Sequence, residues 1–318
     1  MSGDISYTTE EIAKLLKISK LTVYDLIKKG ELASYRVGKQ MRIDASDLEA
    51  YKQRNKSVQA TDYIIPSQQD LAPPPRMPAS QLGTPNLVIT GQDLSLDILA
   101  KHLEKKISFV RPLRANIGSM DSLISMYRGE SDIVSTHLLD GDTNEYNIPY
   151  IRKLLVGSSY LVVNLLSRNA GLYVQQGNPL SITGWLDFAR PGLRIVNREK
   201  GSGARVLLDE QLRLKGIKAA LINGYENVQN NHLGVASKVA SGEADVGVGI
   251  EKAASIVGNI DFIPMIKERY DLVMLKSASN QAWIEALLQI LRSDDFKKEL
   301  QSISGYDLTR TGEVLFET

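Results

Sequence analysis

Apolar positions in the first fifty residues fall on a helical period. Ile12, Leu15 and Leu16 repeat at i, i+3, i+4, and Val23, Leu26 and Ile27 do so again. Ile18-Ser19 interrupts the two runs, and Ser19 can cap a new helix. Thr9 is the expected N-cap of the first helix, with Glu10 and Glu11 in the first turn, where negative charge suits the helix dipole. Ala13 is small enough for close helix approach, and Gly30 sits where a C-cap glycine belongs. The pattern then switches to two short strands, 32–37 and 41–43, around Gly38-Lys39, and 44–51 closes as a short helix. Helix, turn, helix and hairpin predict a winged helix-turn-helix. The second helix of such a module enters a DNA major groove while the hairpin touches backbone or minor groove. Its expected DNA contacts are Ser19, Lys20, Thr22, Tyr24 and Lys28 on the helix, and Arg36, Lys39, Gln40 and Arg42 on the hairpin.

From Asn86 onward strands and helices alternate. Strands are expected at 87–90, 107–110 and 132–136, with helices at 95–105 and 121–127 between them. This βαβαβ order argues for a parallel sheet. Residues 153–164 are strongly apolar and extended, followed by another extended stretch at 171–174. A helix at 182–189, opening at Ser181 or Thr183, a strand at 193–196, helices at 204–215 and 232–241, and a strand at 244–248 form a second unit. Extended segments at 261–264 and 270–275 and helices at 282–291 and 296–302 complete the chain. Two αβ units of similar size, joined by extended crossings, predict two lobes with a cleft between them. The fold class is therefore α/β with a small N-terminal winged helix-turn-helix.

Composition sharpens the division. Residues 57–85 hold six of the eleven prolines and predict a semi-stiff linker, in which Tyr63-Ile-Ile65 is an apolar island. The expected domains are thus 1–56, the linker 57–85, and 86–318. Residues 7–56 carry eight Lys and three Arg against three Asp and four Glu, a net of +4, while the whole chain is only +1. Positive charge is concentrated where DNA would lie. The absence of Cys excludes disulfides, thiolate nucleophiles and Cys-based zinc sites. Neither a signal-like apolar stretch nor a run of membrane-spanning length is present, so a cytoplasmic, non-membrane protein is expected.

The N-terminal segment resembles the excisionase and MerR-type winged helix-turn-helix family through Thr8-Thr9-Glu10-Glu11-Ile12-Ala13, Ser19, Thr22-Val23-Tyr24, Gly30-Glu31-Leu32, Val37-Gly38-Lys39 and Arg42-Ile43. The bland alternative is a three-helix protein-interaction module. The remainder resembles the cytosolic PBP-like domain found behind such heads, related to type II periplasmic binding proteins of the molybdate-binding kind. The matching residues include Gly118-Ser119, Gly129-Glu-Ser-Asp132, Thr136-His-Leu-Leu-Asp140, Asn197-Arg198, Gly201-Ser-Gly203 with Arg205, Gly242-Glu-Ala-Asp-Val-Gly247 and Glu268-Arg-Tyr-Asp-Leu272. The resemblance implies a one-component regulator with a small anion, molybdate, tungstate or another oxyanion, as effector and no other cofactor. The chain departs from the family pattern at Gln92-Asp93, Ala204 and Asn231, where hydroxyl or His groups are usual.

Ligands of open α/β sheets bind beyond the carboxyl ends of strands. Four segments occupy such places. Gly91, Gln92 and Asp93 follow the first strand, where Asp93 or Ser95 could equally be a plain helix cap. Ser119 opens a helix as cap or ligand donor. Ser202, Gly203, Ala204 and Arg205 open another, with a fixed positive charge that could instead pair with Asp209 at i, i+4. Thr136-His137 and Asn231-His232 stand at element ends. No spacing supports a metal site. An anion closing the lobes about hinges near 153–164 and 261–275, and so changing how two subunits present their heads to double-stranded DNA, is the expected mechanism. The rivals are a cleft that takes another small molecule or none, a secreted or lipid-anchored transport receptor, and an enzyme built on a Ser202–His232 dyad that no spacing requires.

Overall fold

The computed structural model describes residues 6–29, 32–38, 40–56 and 84–318, which form parts of two compact units, Met1–Arg76 and Met77–Thr318. The linker expectation falls, apart from residues 84 and 85, outside the described residues, as do Gly30 and Lys39.

The head runs β1 (Ser6–Thr8), α1 (Thr9–Leu16), α2 (Lys20–Lys28), β2 (Tyr35–Val37), β3 (Gln40–Asp44), α3 (Ala45–Lys56). The first cap lies one residue earlier than expected. Thr8 Oγ1 accepts the Glu11 N–H at 3.3 Å, and the Glu11 carboxylate accepts the Thr8 N–H at 2.8 Å. Only Thr8 has a glutamate three residues on that can reach back to its own N–H, so the box closes there and Thr9 becomes the first helical residue. Ser19 caps α2, as expected. The strand β1, not anticipated, pairs with β3 to make a three-stranded antiparallel sheet in the order β1-β3-β2. Ile12, Val23, Leu32, Ile43 and Leu48 form the buried core that holds these pieces together. Each such side chain contributes about 1.5–3 kcal/mol on burial.

The larger unit opens with β4 (Asn86–Thr90), α4 (Ser95–Lys106), β5 (Arg111–Ala115), α5 (Ser119–Tyr127), β6 (Ile133–Thr136), the hairpin β7 (Leu139–Asp140) and β8 (Glu145–Tyr146), and α6 (Ile148–Leu154). Strands β5 and β6 flank β4 in parallel, as the alternation predicts. The second strand is not at 107–110, however. Ile107 ends α4 and is buried, while β5 begins at Arg111 as an edge strand whose Arg and Pro residues hide the usual apolar signal.

Next come β9 (Tyr160–Gln175), a 3₁₀ turn at Trp185–Ala189, β10 (Ile195–Arg198), α7 (Gly203–Leu214), β11 (Val228–Gln229), α8 (His232–Ala240), β12 (Val246–Ile250), α9 (Glu251–Ile256) and β13 (Ile260–Leu275). The chain ends with α10 (Gln281–Arg292), α11 (Asp294–Gln301), β14 (Tyr306–Asp307) and β15 (Val314–Glu317). The helix expected at 182–189 is only the short 3₁₀ turn.

The sheet path β11-β10-β12-β9-β13-β6-β4-β5 joins the two lobes. Its centre is the antiparallel pair β9 and β13, each 16 residues long. Tyr270–Leu275 of β13 faces the first lobe, where residues 271–274 pair with β6. Residues 170–174 of β9 pair with β12 of the second lobe. The crossing therefore lies at about Ser167–Asn169 and Met265–Arg269, flanked by register shifts at Pro264/Ile266 and Tyr270/Asp271. Such irregularities bend a strand. The segment 153–164, expected to connect the lobes, does not form the crossing: 153–158 precede β9 and 160–164 lie inside the first lobe. Gly171 is required just past the crossing, because a Cβ there would lie 2.1 Å from the Ile263 carbonyl oxygen.

Candidate functional site: a cavity between two helix starts

Two helices from opposite lobes begin at one cavity. In the first lobe, Gly118 precedes α5. In the second, Ser202 caps α7, its Oγ accepting the Arg205 N–H at 3.4 Å and donating to the Glu199 carbonyl at 2.9 Å. The two starts touch: the Met120 N–H donates across the cleft to the Gly201 carbonyl at 2.9 Å. A Cβ on Gly118 would lie 3.2 Å from the Ser202 nitrogen, and one on Gly203 would lie 2.4 Å from the His137 ring. Glycine at both places lets the lobes close this far.

Gly91, Gln92, Ile117, Gly118, Ser119, Ser135, His137, Ser202, Gly203 and Tyr270 enclose a space of about 10 Å³, room for about one water molecule. The first-turn N–H groups of α5 and α7 have no partners within their own helices. Ser119 Oγ accepts the His137 N–H at 3.3 Å, and Ser135 Oγ lies 2.7 Å from Tyr270 Oη. The wall thus brings serine and tyrosine hydroxyls and the His137 ring beside two positive helix ends.

Behind that wall the charges neutralise one another. Arg168, on β9 at the crossing, pairs with Asp93 and, at 2.5 Å, with Glu268 on β13. His137 Nδ1 lies 3.1 Å from the other Glu268 oxygen, and the Arg168 guanidinium stacks 4.6 Å from the centre of the Tyr270 ring. Burial pushes the Glu268 carboxyl up, but His137 and Arg168 outweigh it and hold the pKa at about 2. Burial likewise raises Asp93, and Arg168, Ser95 and Tyr306 bring it below 3.8. Asp93 Oδ1 accepts the Ser95 N–H at 2.8 Å and the Tyr306 hydroxyl at 2.6 Å. The start of α4 is consequently served by the chain's own carboxylate rather than left open for an anion.

A second bridge spans the cleft. The buried Arg198 guanidinium donates to Gln92 Oε1 at 2.5 Å and to Glu199 at 2.8 Å, and Gln92 Nε2 donates to Glu199 at 3.1 Å. Gln92 thus ties the first lobe to the Arg198–Glu199 pair of the second.

Of the residues expected from sequence, Gly91, Gln92, Ser119, His137, Ser202 and Gly203 line the cavity. Gln92, Asp93, Asn231 and His232 line a wider pocket of about 260 Å³. Asn231 caps α8, its Oδ1 accepting the Gly234 N–H at 2.7 Å. Burial pushes the His232 imidazole well below 6.5, with Arg198, Arg168 and His137 adding to the effect, and its Nδ1 is buried without a partner. Thr136 and Ala204 are buried but are not lining residues. Arg205 is not in the wall either: its guanidinium pairs with Asp209 at 3.2 Å, donates to the Arg198 carbonyl at 3.1 Å and stacks 4.0 Å from the centre of the Tyr225 ring. The ordinary i, i+4 pairing accounts for that charge.

Sequence reasoning missed Ile117, Ser135 and Tyr270 in the wall and Arg168, Arg198, Glu199 and Glu268 behind it. The available signal was a dense polar run, Lys267-Glu-Arg-Tyr-Asp271, inside an otherwise apolar extended segment. Among the described residues, no group of three His, Cys, Asp or Glu could hold a metal ion. In the head, Lys20 pairs with Glu10, Arg36 lies on β2, and Gln40 and Arg42 lie on β3.

A head of DNA-reading architecture and a two-lobed body with a cleft define the class, and comparison with known proteins gives the same division. Residues 100–292 match the PBP-like family, described as a PBP superfamily domain, and residues 6–56 match a helix-turn-helix domain. The chain belongs to the PBP-like family and carries a helix-turn-helix head. YvgK of Bacillus subtilis (strain 168), described as an uncharacterized protein, is 50% identical over 318 residues, covering 100% of both chains. A Clostridium perfringens structure described as a phosphate ABC transporter substrate-binding protein with bound phosphate is 15% identical, covering 70% of this chain and 99% of that one, with a TM-score of 0.50. A hydrogen-peroxide-bound cysteine mutant of OxyR from Corynebacterium glutamicum is 11% identical, covering 93% of this chain and 89% of that one, again with a TM-score of 0.50. The last two establish likeness of fold. Both domains are of DNA-binding and binding-protein types, and no helix among the described residues is long and apolar enough to cross a membrane.

Proposed function

We propose that the protein is a one-component, ligand-responsive transcription regulator acting in the cytoplasm as a homodimer. The head binds double-stranded DNA, and the cleft senses a small anion, with molybdate or a related oxyanion as the effector. One observation carries the reading: α5 and α7 begin at the same cavity from opposite lobes, walled by Ser119, Ser135, His137, Ser202 and Tyr270. Convergent helix starts favour an anion through their dipoles and first-turn N–H groups, of which those of Met120 and Arg205 already bond to Gly201 and Ser202. The phosphate bound by the Clostridium perfringens protein of like fold is in keeping with this choice of ligand class.

A tetrahedral oxyanion is larger than the water that the cavity admits, so its entry must part the lobes slightly or turn Gln92 and His137 aside. That movement about the crossing of β9 and β13 is the signal. It can alter DNA binding only if the anion binds the two lobe arrangements with different affinity. A single winged helix reads few base pairs, so two subunits on two half-sites supply the operator contacts.

Calorimetry and thermal shift with molybdate, tungstate, sulfate and phosphate test the ligand class. Binding of at least one is expected, and silence from all four sinks the oxyanion reading. A second reading, a cleft tuned to an uncharged or differently charged small molecule, draws on the internal pairing of Arg168, Arg198, Asp93, Glu199 and Glu268, which leaves no spare cationic side chain among these five.

A further inference from the structure

The outward face of α2 is less basic at its centre than its sequence suggests. Val23 is fully buried, and Leu26 and Ile27 are half-buried. At 3.6 residues a turn, the direction opposite this apolar side belongs to Leu21, with Tyr24, Asp25 and Lys28 at i+3, i+4 and i+7. Leu21 is 78% exposed and Tyr24 45% exposed. Ser19, Lys20 and Thr22 beside them have partners within the head. Ser19 Oγ accepts the Thr22 N–H at 3.1 Å and lies 2.8 Å from Thr22 Oγ1, while the Lys20 ammonium pairs with Glu10. Lys28 lies on the same face of α2, Arg36 and Arg42 lie on the hairpin strands β2 and β3, and residues 7–56 carry the net +4 already noted.

We propose that Leu21, assisted by Tyr24, reads thymine through its C5-methyl group in the major groove, while Lys28, Arg36 and Arg42 hold the phosphates. The inference rests on the DNA-binding reading of the head and specifies how it discriminates sequence. Phosphate contacts position a protein on DNA, and base-edge contacts specify the sequence. The thymine methyl is the apolar group displayed in the major groove, and it accepts apolar side chains. Base edges are met by the N-terminal residues of a recognition helix, and Leu21 is the second residue of α2. Asp25, one turn further on, is repelled by phosphate and can accept from the exocyclic amino group of cytosine, which places the same face over base edges.

The test begins with selection of binding sites by the full chain from a randomised duplex library, with and without molybdate. Each thymine of the enriched site is then replaced by uracil, which removes only the methyl group. At one or more positions the wild type should lose about fourfold in affinity, the value of one buried carbon. Leu21→Ala, a change at an exposed position, should bind thymine and uracil sites equally at that position. An enriched site whose uracil forms all bind the wild type unchanged, or a penalty that persists in Leu21→Ala, overturns the inference alone. Failure to enrich any site overturns the DNA-binding reading and this inference with it.

Discussion

The head and the two-lobed unit manage charge in opposite ways. In the head, Lys20–Glu10 and Lys52–Glu49 are surface pairs, with side chains 47% and 67%, and 32% and 59%, exposed. Such pairs are worth little and exchange readily with water or a charged partner. At the crossing of the lobes, Arg168, Asp93 and Glu268 are at most 4% exposed and satisfy one another. There the pairing is part of the fold, and removing one member strands the others in a dry interior. The head thus keeps its charge available to a partner, whereas the cleft pairs Arg168, Asp93 and Glu268 with one another behind a wall of hydroxyls and helix starts.

The contrast can be broken most forcefully at Arg168. Arg168→Met leaves Asp93 and Glu268 buried without their cation, and a loss of about 3–5 kcal/mol is expected by urea denaturation. Lys20→Ala in the head should stay within about 0.5 kcal/mol. Equal costs for the two would erase the distinction.

Acid provides a second probe, limited to part of that same network. The folded Glu268 carboxyl sits at about 2, below its ordinary 4.5. A depressed carboxyl stabilises the fold above the unfolded value, and this contribution is lost as pH falls from about 4.5 toward 2. Urea midpoints measured across that window should decline in the wild type and decline less steeply in Glu268→Gln. Parallel declines would show that the carboxylate is not held as described.

Gly203 offers a milder perturbation. A Cβ there meets the His137 ring at 2.4 Å, so Gly203→Ala must shift the ring or part the lobes. A cost of about 1–3 kcal/mol in thermal unfolding is expected, with a weaker oxyanion response. Full oxyanion response in this variant would rule the cavity out as the binding site. Smallest in stability is Arg42→Ala, which should leave unfolding untouched yet reduce the slope of log affinity against log salt by about 0.9, one phosphate contact. An unchanged slope would move the phosphate contact elsewhere.

Much of the scaffold was legible because its signals are local. The runs of Ile12, Leu15, Leu16 and of Val23, Leu26, Ile27, the cap at Ser19 and the βαβαβ alternation depend on near neighbours in sequence. The single 16-residue strands β9 and β13 were not legible as such, because the buried polar groups Asn164, Arg168, Glu268 and Asp271 break an apolar pattern that would otherwise run on. Those residues are tolerated inside only through partners far away in sequence, such as Asn164 to Asp271 at 2.9 Å. The cavity was half legible for the same reason. Gly91, Gln92, Ser119, His137, Ser202 and Gly203 sit at element ends that a sequence reader inspects, whereas Ser135 and Tyr270 lie within strands and meet only through the fold. Arg205 misled because a cation near a helix start has the same sequence signature whether it faces a ligand or its own Asp209.

What joins the two regions in the proposed function is a free-energy coupling between the cleft and the head. Two affinities of the full chain read that coupling: for its selected operator as a function of molybdate, and for molybdate with and without saturating operator. Operator affinity should change by about fivefold or more, matched by the same factor in molybdate affinity, because linkage is reciprocal. Molybdate that binds free and operator-bound protein equally well would contradict the coupling.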